Sequence, residues 1–465
     1  MSSINSAGLL PPQVAHTKAL IDSLYLNGFA IDMSETGTGK TYVAAAIIRE
    51  MDRPAFIICP KTVIPQWEKV LAKFDLKATL INYEKLGRGN TKWMKWKKLQ
   101  NLMRPWDEEA AKVERPQFNV PQNAIIIIDE GHKCKGDNTS NSQMMIALAD
   151  QGYKCLVSSA TVATTPLEMK AIGFLAKLHR LYNFTDFMRV HGAQWVGRWG
   201  AMTFDMASRE AKESMLKLNE YLFKTRKCAS RLTVEMFGDL FPESHIIAEA
   251  YDLGSMEAKC QAVYDDMEAE IAKLDERCAS YSEHIFAIMM EARRRAELCK
   301  VPLFVEMIED LYDEGKSVVC FVNFTETVEA ITKRLNKVKK LVGTIGYIVG
   351  GQPDKQRQQD IADFNADTKR ILIANIKAGG IGINLHDLIG KHSRASIVSP
   401  NYSAYELVQA LGRIWRQGGL TKSYQRIVFA AKTIEEQACR RVQFRLNNLS
   451  TLNDADMRAG IKLFG

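Results

Sequence analysis

The sequence predicts an α/β fold with two parallel-sheet domains in tandem, helical insertions and a helical connector. Three observations carry that prediction. From Gly28 onward, short apolar runs that suit buried parallel strands alternate with helix-length amphipathic stretches. The rhythm restarts after Gly315, where residues 317–322 and 370–374 read as strands and residues 325–335 as a helix. A chain of 465 residues is also too long for one compact core, so two or three domains are expected.

Composition narrows the class. Hydrophobic residues at 46% and charged residues at 25% are ordinary for a globular protein and exclude a disordered one. A formal charge of +8 is compatible with a polyanionic partner without requiring one. Nine cysteines without a CxxC pair argue against a disulfide framework or a zinc ribbon. Cys59 and Cys320 end or interrupt apolar runs and read as core thiols in a reducing compartment. The first residues lack a signal-peptide pattern and no apolar run is long enough to span a bilayer. The expectation is an intracellular protein of the cytoplasm, nucleoid or host cytoplasm, neither secreted nor bound to a membrane.

Taken in order, residues 10–24 read as a helix in which the Gln13 amide could read an adenine edge, although a lone glutamine is more often a surface residue. The strand-like residues 28–33 lead into Ser34-Glu35-Thr36-Gly37-Thr38-Gly39-Lys40-Thr41, and a helix follows. Strand, glycine-bearing loop and helix form a phosphate cradle, because backbone N–H groups converge on phosphate oxygens and the helix N-terminus adds partial positive charge. Thr36, Gly37, Thr38 and Gly39 would line it, Lys40 would reach the β/γ-phosphates and the Thr41 hydroxyl would ligate Mg²⁺.

Residues 55–60 form the next strand, and Lys61 and Gln66 follow it where strand ends meet a crevice. Lys85, Arg88, Lys92, Lys95, Lys97, Lys98 and Arg104, interleaved with Trp93 and Trp96, form the most basic stretch. It fits either nucleic-acid contact or a solvated amphipathic helix with its tryptophans turned inward. Four isoleucines at 125–128 predict a strand buried on both faces, ending in Asp129-Glu130-Gly131-His132. Asp129 would hold Mg²⁺ and Glu130 would orient or deprotonate the attacking water. Residues 154–161 read as a strand ending in hydroxyl residues, among them Ser159 and Thr161, that suit a hydrogen-bonded switch.

Residues 178–231 read as a helical insertion with its own small aromatic core, and residues 255–296 as charged helix. In the second half, Lys377-Ala378-Gly379-Gly380-Ile381-Gly382-Ile383-Asn384 is a glycine-dense turn that lets backbone approach a ligand at Gly380 and Gly382. Gln409 to Gly418 supplies Arg413 and Arg416, which at i and i+3 would share a helix face and could stabilise charge on a transferring phosphate.

Ten motifs in order then resemble the superfamily 2 helicases and translocases: LLPPQ, SETGTGKT, FIICPKTVIPQWEKV, INYEKL, IIIIDEGHKCK, CLVSSAT, VVCFVNFT, ILIANIKAGGIGINL, QALGRIWRQGG and TIEE. Within that superfamily the third, eighth and last two are similar to the SWI/SNF-like DNA translocases. Residues 284–323 look like the annealing-helicase branch. Ser34 at the head of the phosphate loop, Ser159-Ala160-Thr161 in place of Thr-Gly-Thr-Pro, and Trp415 in place of the usual histidine look like a compact phage or viral member.

The resemblance implies two RecA-like domains: residues 1–253 with an insertion around 178–231, a connector at 254–296, and residues 297–465. It implies ATP and Mg²⁺ as cofactors, Gln13 as the adenine reader, Lys40, Asp129 and Glu130 as catalytic residues, and Arg413 and Arg416 as arginine fingers. Lys61, Gln66, Thr325, Lys377 and Asn384 would line a nucleic-acid track, and His132, Ser159, Thr161 and Gln409 would couple it to the phosphate site. The function implied is an ATP-driven translocase, monomeric on duplex or branched DNA, with hydrolysis at the interdomain cleft. The alternatives are a strand-separating DNA or RNA helicase and a non-enzymatic ATP-gated clamp.

Overall fold

The computed structural model describes residues 5–89, 91–98, 114–136, 138–195, 202–251, 253–274, 281–379, 383–400, 403–430, 434–456 and 463. The chain divides into two compact units, Met1–Gly238 with Phe444–Gly460, and Asp239–Gln443 with Ile461–Gly465.

The first unit holds β1 (Phe29–Asp32), β2 (Ala55–Cys59), β3 (Ala78–Asn82), β4 (Met94–Lys98), β5 (Glu114–Phe118), β6 (Ile125–Asp129), β7 (Lys154–Ser158), β8 (Gln194–Trp195), β9 (Met202–Thr203) and β10 (Ala229–Ser230). Six of these form a parallel sheet in the order β10-β1-β7-β6-β2-β3. The isoleucine run explains why β6 sits inside it. Ile126 and Ile128 pack on one face with Phe56, Ile58, Met145 and Leu148, while Ile125 and Ile127 are equally buried and point the other way.

Two pieces lie outside this sheet. β4 and β5 pair antiparallel as a ribbon, so the basic tryptophan stretch contains a strand where the helical alternative expected a helix. β8 and β9 make a small hairpin. Around 178–231, Phe184, Phe187, Met215, Leu218 and Leu222 join the main core of the unit and do not form a separate one. The last turns of the helix Ile434–Asp454 belong here too: Leu452 enters that core, and Asn448 and Asn453 donate to the carbonyls of Thr164 and Ala160.

The second unit holds β11 (Ser244–Tyr251), β12 (Ser317–Val322), β13 (Ile345–Ile348), β14 (Ile371–Asn375), β15 (Arg394–Val398) and β16 (Ser423–Ala430). They form a second parallel sheet in the order β11-β16-β15-β12-β14-β13. β11 pairs with β16 along its whole length, so the chain from Asp239 onward belongs to this unit, earlier than the sequence suggests. The partner strand lies far downstream, which local patterning cannot register. The helices Glu257–Ile271 and Tyr281–Cys299 share a small cluster of Cys260, Val263, Tyr264, Met267, Ala292 and Ala296. Among the described residues no helix is long and apolar enough to cross a membrane, and the described cysteines are all free thiols.

Candidate functional site

Strand register assembles the first part of the site. Asp32 at the end of β1 is level with Ser158 at the end of β7, which is level with Asp129 at the end of β6. Two strand spacings of roughly 4.8 Å therefore separate the start of the glycine loop from the acidic pair. In the loop, Gly37 and Gly39 have φ of 87° and 88°, a left-handed conformation that favours glycine. A Cβ on Gly39 would also lie 2.4 Å from Gln13 Nε2. The helix Lys40–Met51 begins immediately after the loop.

Gln13 is buried against this loop. Its Nε2 donates to the Thr38 carbonyl at 2.8 Å and its Oε1 accepts from the Leu10 amide at 2.8 Å. One further donor and one further acceptor site remain on the carboxamide, so clamping the loop does not exhaust what it can read. Lys40 Nζ donates to the carbonyls of Ser34 and Glu35, both at 2.8 Å. Burial holds Lys40 below its usual pKa, opposed by the carboxylates of Asp32, Glu130 and Asp129. Thr36, Gly37 and Thr41 are half-buried around it.

The acidic pair is held from several sides. Asp129 Oδ2 accepts from Trp67 Nε1 at 2.8 Å, Oδ1 accepts from the Glu130 amide at 3.0 Å, and its carbonyl accepts from the Tyr83 hydroxyl at 2.7 Å. Burial and the neighbouring Glu130 carboxylate push Asp129 up to about 7. Glu130 has φ of 57°, a backbone conformation costly for a residue with a side chain. His132 Nδ1 lies 3.3 Å from Glu130 Oε2 and 3.2 Å from Ser159 Oγ. The Ser159 amide donates to the Asp32 carbonyl at 2.9 Å, and its Oγ accepts from the Thr161 amide at 3.2 Å. His132, Ser159 and Thr161 are thus brought together between the acidic pair and β1.

Four residues that sequence reasoning did not single out complete this region. His16 Nε2 lies 3.1 Å from Asp32 Oδ1 and 3.2 Å from Ser34 Oγ, and its Nδ1 lies 2.7 Å from Ser230 Oγ. Burial works against the Asp32 charge, yet His16 and then Lys40 hold its pKa below the usual carboxylate value. Ser34 Oγ accepts from the Leu232 amide at 3.0 Å, so the hydroxyl that departs from the family's loop anchors it. Trp67 steers Asp129. Arg231 donates to the Met33 carbonyl at 2.6 Å and to Glu35 Oε1 at 3.0 Å, and also pairs with Asp454. An aspartate inside an apolar strand was the available sequence signal for Asp32; Arg231 had none.

The donor set suits the expected ligands. Converging loop backbone, a helix N-terminus and Lys40 fit nucleotide phosphates. The Thr41 hydroxyl and the crowded Asp129 carboxylate are hard oxygen donors of the kind Mg²⁺ takes, and a divalent cation would relieve the repulsion that raises Asp129.

In the second unit the arginine motif differs from expectation. The helix Ala404–Leu411 ends before it, so Arg413 and Arg416 occupy the following turn and do not share a helix face. Arg413 is buried: Nε donates to the Gln409 carbonyl at 2.9 Å, Nη1 to the Ile383 carbonyl at 3.2 Å, and Nη2 to Gln409 Oε1. Arg416 is half-buried and donates from Nε to the Gly412 carbonyl at 3.0 Å. Gln409 therefore meets Arg413 directly.

The track candidates sit after strand ends. Lys61 is exposed just past β2, with Gln66 half-buried in the helix Ile64–Lys73. In the second unit Thr325 is exposed at the start of the helix Thr325–Leu335, and Lys377 is exposed past β14, whose Asn375 is level with Val322 of β12. Asn375 Nδ2 donates to the Asn323 carbonyl at 2.8 Å, tying these two strand ends together. Asn384 is exposed, and Gly380 and Gly382 lie outside the described residues.

The chain is similar to known proteins along most of its length. Residues 299–418 match the helicase conserved C-terminal domain, and residues 8–163 match the family described as type III restriction enzyme, res subunit. A protein of Acanthamoeba polyphaga mimivirus, named "Putative ATP-dependent RNA helicase", is 32% identical over 472 residues, covering 98% of this chain and 86% of its own. A DNA repair and recombination protein RAD54-like of Drosophila ananassae is 21% identical, covering 90% of this chain and 59% of its own. The Sulfolobus solfataricus SWI2/SNF2 ATPase core in complex with dsDNA aligns over 97% of this chain and 96% of that one, with 17% identity and a TM-score of 0.36. The fold itself rests on the two parallel sheets. The chain belongs to the superfamily 2 ATP-dependent helicases.

Proposed function

We propose that this helicase-family ATPase is a DNA translocase that converts ATP hydrolysis into movement along duplex or branched DNA as a monomer. The observation that supports it most is the register of Asp32, Ser158 and Asp129, which sets the lysine-bearing loop and the acidic pair at one end of one sheet. Lys40 and the loop amides bind and orient the phosphates. Thr41 and Asp129 hold Mg²⁺, which supplies charge neutralisation on the phosphates when bound. Glu130 positions the attacking water and takes up its proton, with His132 restraining its carboxylate.

Gln13 reads the adenine through its remaining amide sites. Of the two arginines, Arg416 is assigned to the transferring phosphate and Arg413 to holding that turn, because Arg413 spends three nitrogens on carbonyl oxygens of its own unit. Lys61, Gln66, Thr325, Lys377 and Asn384 contact the nucleic acid, and His132, Ser159, Thr161 and Gln409 transmit its presence to the phosphate site. Residues 254–296, which follow β11 inside the second unit, serve as its helical protrusion.

The name of the mimivirus relative supports a second reading, an RNA helicase. ATPase rates measured with duplex, branched and single-stranded DNA and with RNA separate the two. Strongest stimulation by duplex or branched DNA is expected. Preference for RNA would replace DNA with RNA as the track, and no stimulation by any nucleic acid would sink the motor.

A further inference from the structure

We infer that the outward face of the β4–β5 ribbon is a second nucleic-acid contact, a cationic surface for phosphate backbone lying apart from the motif residues. The inference rests on the nucleic-acid motor proposed above. Along β4, Met94 is buried, Trp96 is half-buried, and Lys95 and Lys97 between them are exposed; along β5, Pro116 and Phe118 are buried while Arg115 and Gln117 are exposed. Period-two alternation therefore puts Lys95, Lys97, Arg115 and Gln117 on one face. The register sets Lys97 directly opposite Arg115 and Lys95 opposite Gln117. Directly opposed like charges weaken a strand pair, and among the described residues of the two strands no carboxylate shares this face. None of the three cations forms an ion pair among the described residues.

The ribbon is held firmly enough to present that face. Trp96 Nε1 donates to the Gly87 carbonyl at 2.9 Å, and Gly89, with φ of 70°, leaves room for the indole, which a Cβ would approach to 2.3 Å. Trp93 meets Phe56 edge-on at 5.7 Å, and Phe118 meets Tyr153 at 6.4 Å. Phe56 lies near the start of β2 and Tyr153 just before β7, so these two ring contacts lie toward the strand starts, while Gly87 lies past the end of β3. Both indoles are engaged with the protein, so base stacking is not what this face offers. Its chemistry is charge alone. Lys95 and Lys97 lie about 6.8 Å apart along the strand, roughly the rise across two phosphates of one DNA strand. Sequence-independent backbone binding follows from that chemistry.

The test compares the full-length wild type with a Lys95→Ala, Lys97→Ala, Arg115→Ala triple variant and a Lys95→Arg, Lys97→Arg control. Binding to a fluorescent DNA duplex, with an RNA arm, is followed by anisotropy across a salt titration, alongside nucleic-acid-stimulated ATPase. The triple variant should bind about ten- to a hundredfold more weakly near 0.1 M salt, with a log–log salt slope smaller by about 2 to 3. Its ATPase should need more nucleic acid for half-stimulation while kcat at saturation stays at the wild-type level, and the arginine control should match wild type throughout. Wild-type binding with an unchanged triple variant would overturn the inference and leave these cations as a guard against edge pairing. A wild type that neither binds nor responds to DNA or RNA would overturn the motor reading itself.

Discussion

Acid should loosen the second unit through one histidine. His386 is buried on the segment that carries Ile383 and Leu385, both hydrogen-bonded to Arg413. Burial, then the guanidinium groups of Arg416 and Arg394, outweigh the adjacent Asp387 and push His386 down to about 4. The folded unit thus holds a neutral imidazole, while the unfolded chain takes up a proton below about pH 6.5. A folded pKa below the unfolded one leaves stability intact above pH ~6.5 and removes it as pH falls toward 4. Between those limits the loss reaches about 3 kcal/mol, and about 2 kcal/mol by pH ~5. Urea unfolding read by hydrogen exchange at β15 and β16 measures it. Wild type should lose about 2 kcal/mol more than His386→Gln between pH ~7 and pH ~5. Parallel pH dependence in the two proteins would refute the assignment.

Three further outcomes are expected. Glu130→Gln should keep ATP binding and lose turnover by roughly 10² to 10⁴, measured by nucleotide titration and steady-state ATPase; unchanged turnover would remove Glu130 from the chemistry. Gly39→Ala sets a Cβ 2.4 Å from Gln13 Nε2 at a φ of 88°. It should cost about 1–3 kcal/mol, visible as a lower melting temperature without ligand, and weaken nucleotide affinity, visible as a smaller thermal shift on adding a non-hydrolysable ATP analogue. Lys300 is fully buried, with Nζ 3.0 Å from Ser399 Oγ and 2.9 Å from Glu435 Oε1. Lys300→Met removes the buried cation facing the Glu435 carboxylate and should destabilise the second unit by about 3–5 kcal/mol in urea unfolding, with partial recovery when Glu435→Gln is added.

The parts of the molecule legible in the sequence were those whose signals are local. The glycine loop sits between an apolar strand and a helix only a few residues away, and the isoleucine run could be placed inside a sheet because few environments bury four in succession. The ribbon escaped because Trp93 and Trp96 are spaced like helix neighbours, while the strand alternation of Met94 and Trp96 is too short to outweigh that. The placement of β11 and the role of Arg231 depend on partners nearly two hundred residues away. His16 carried no signal of its own within the helix read over residues 10–24, and only the fold shows that it is enclosed with Asp32 and Ser34. Arg413 and Arg416 were expected to share a helix face, but the helix stops short of them.

The return of residues 444–460 to the first unit has a consequence for synthesis. That unit lacks the segment supplying Leu452 to its core and Asp454 to Arg231 until 205 intervening residues, 239–443, have been made. At about 5–20 residues per second this delay is roughly 10–40 s. During that interval the nascent glycine loop, through Arg231, is without one of the partners that fix it.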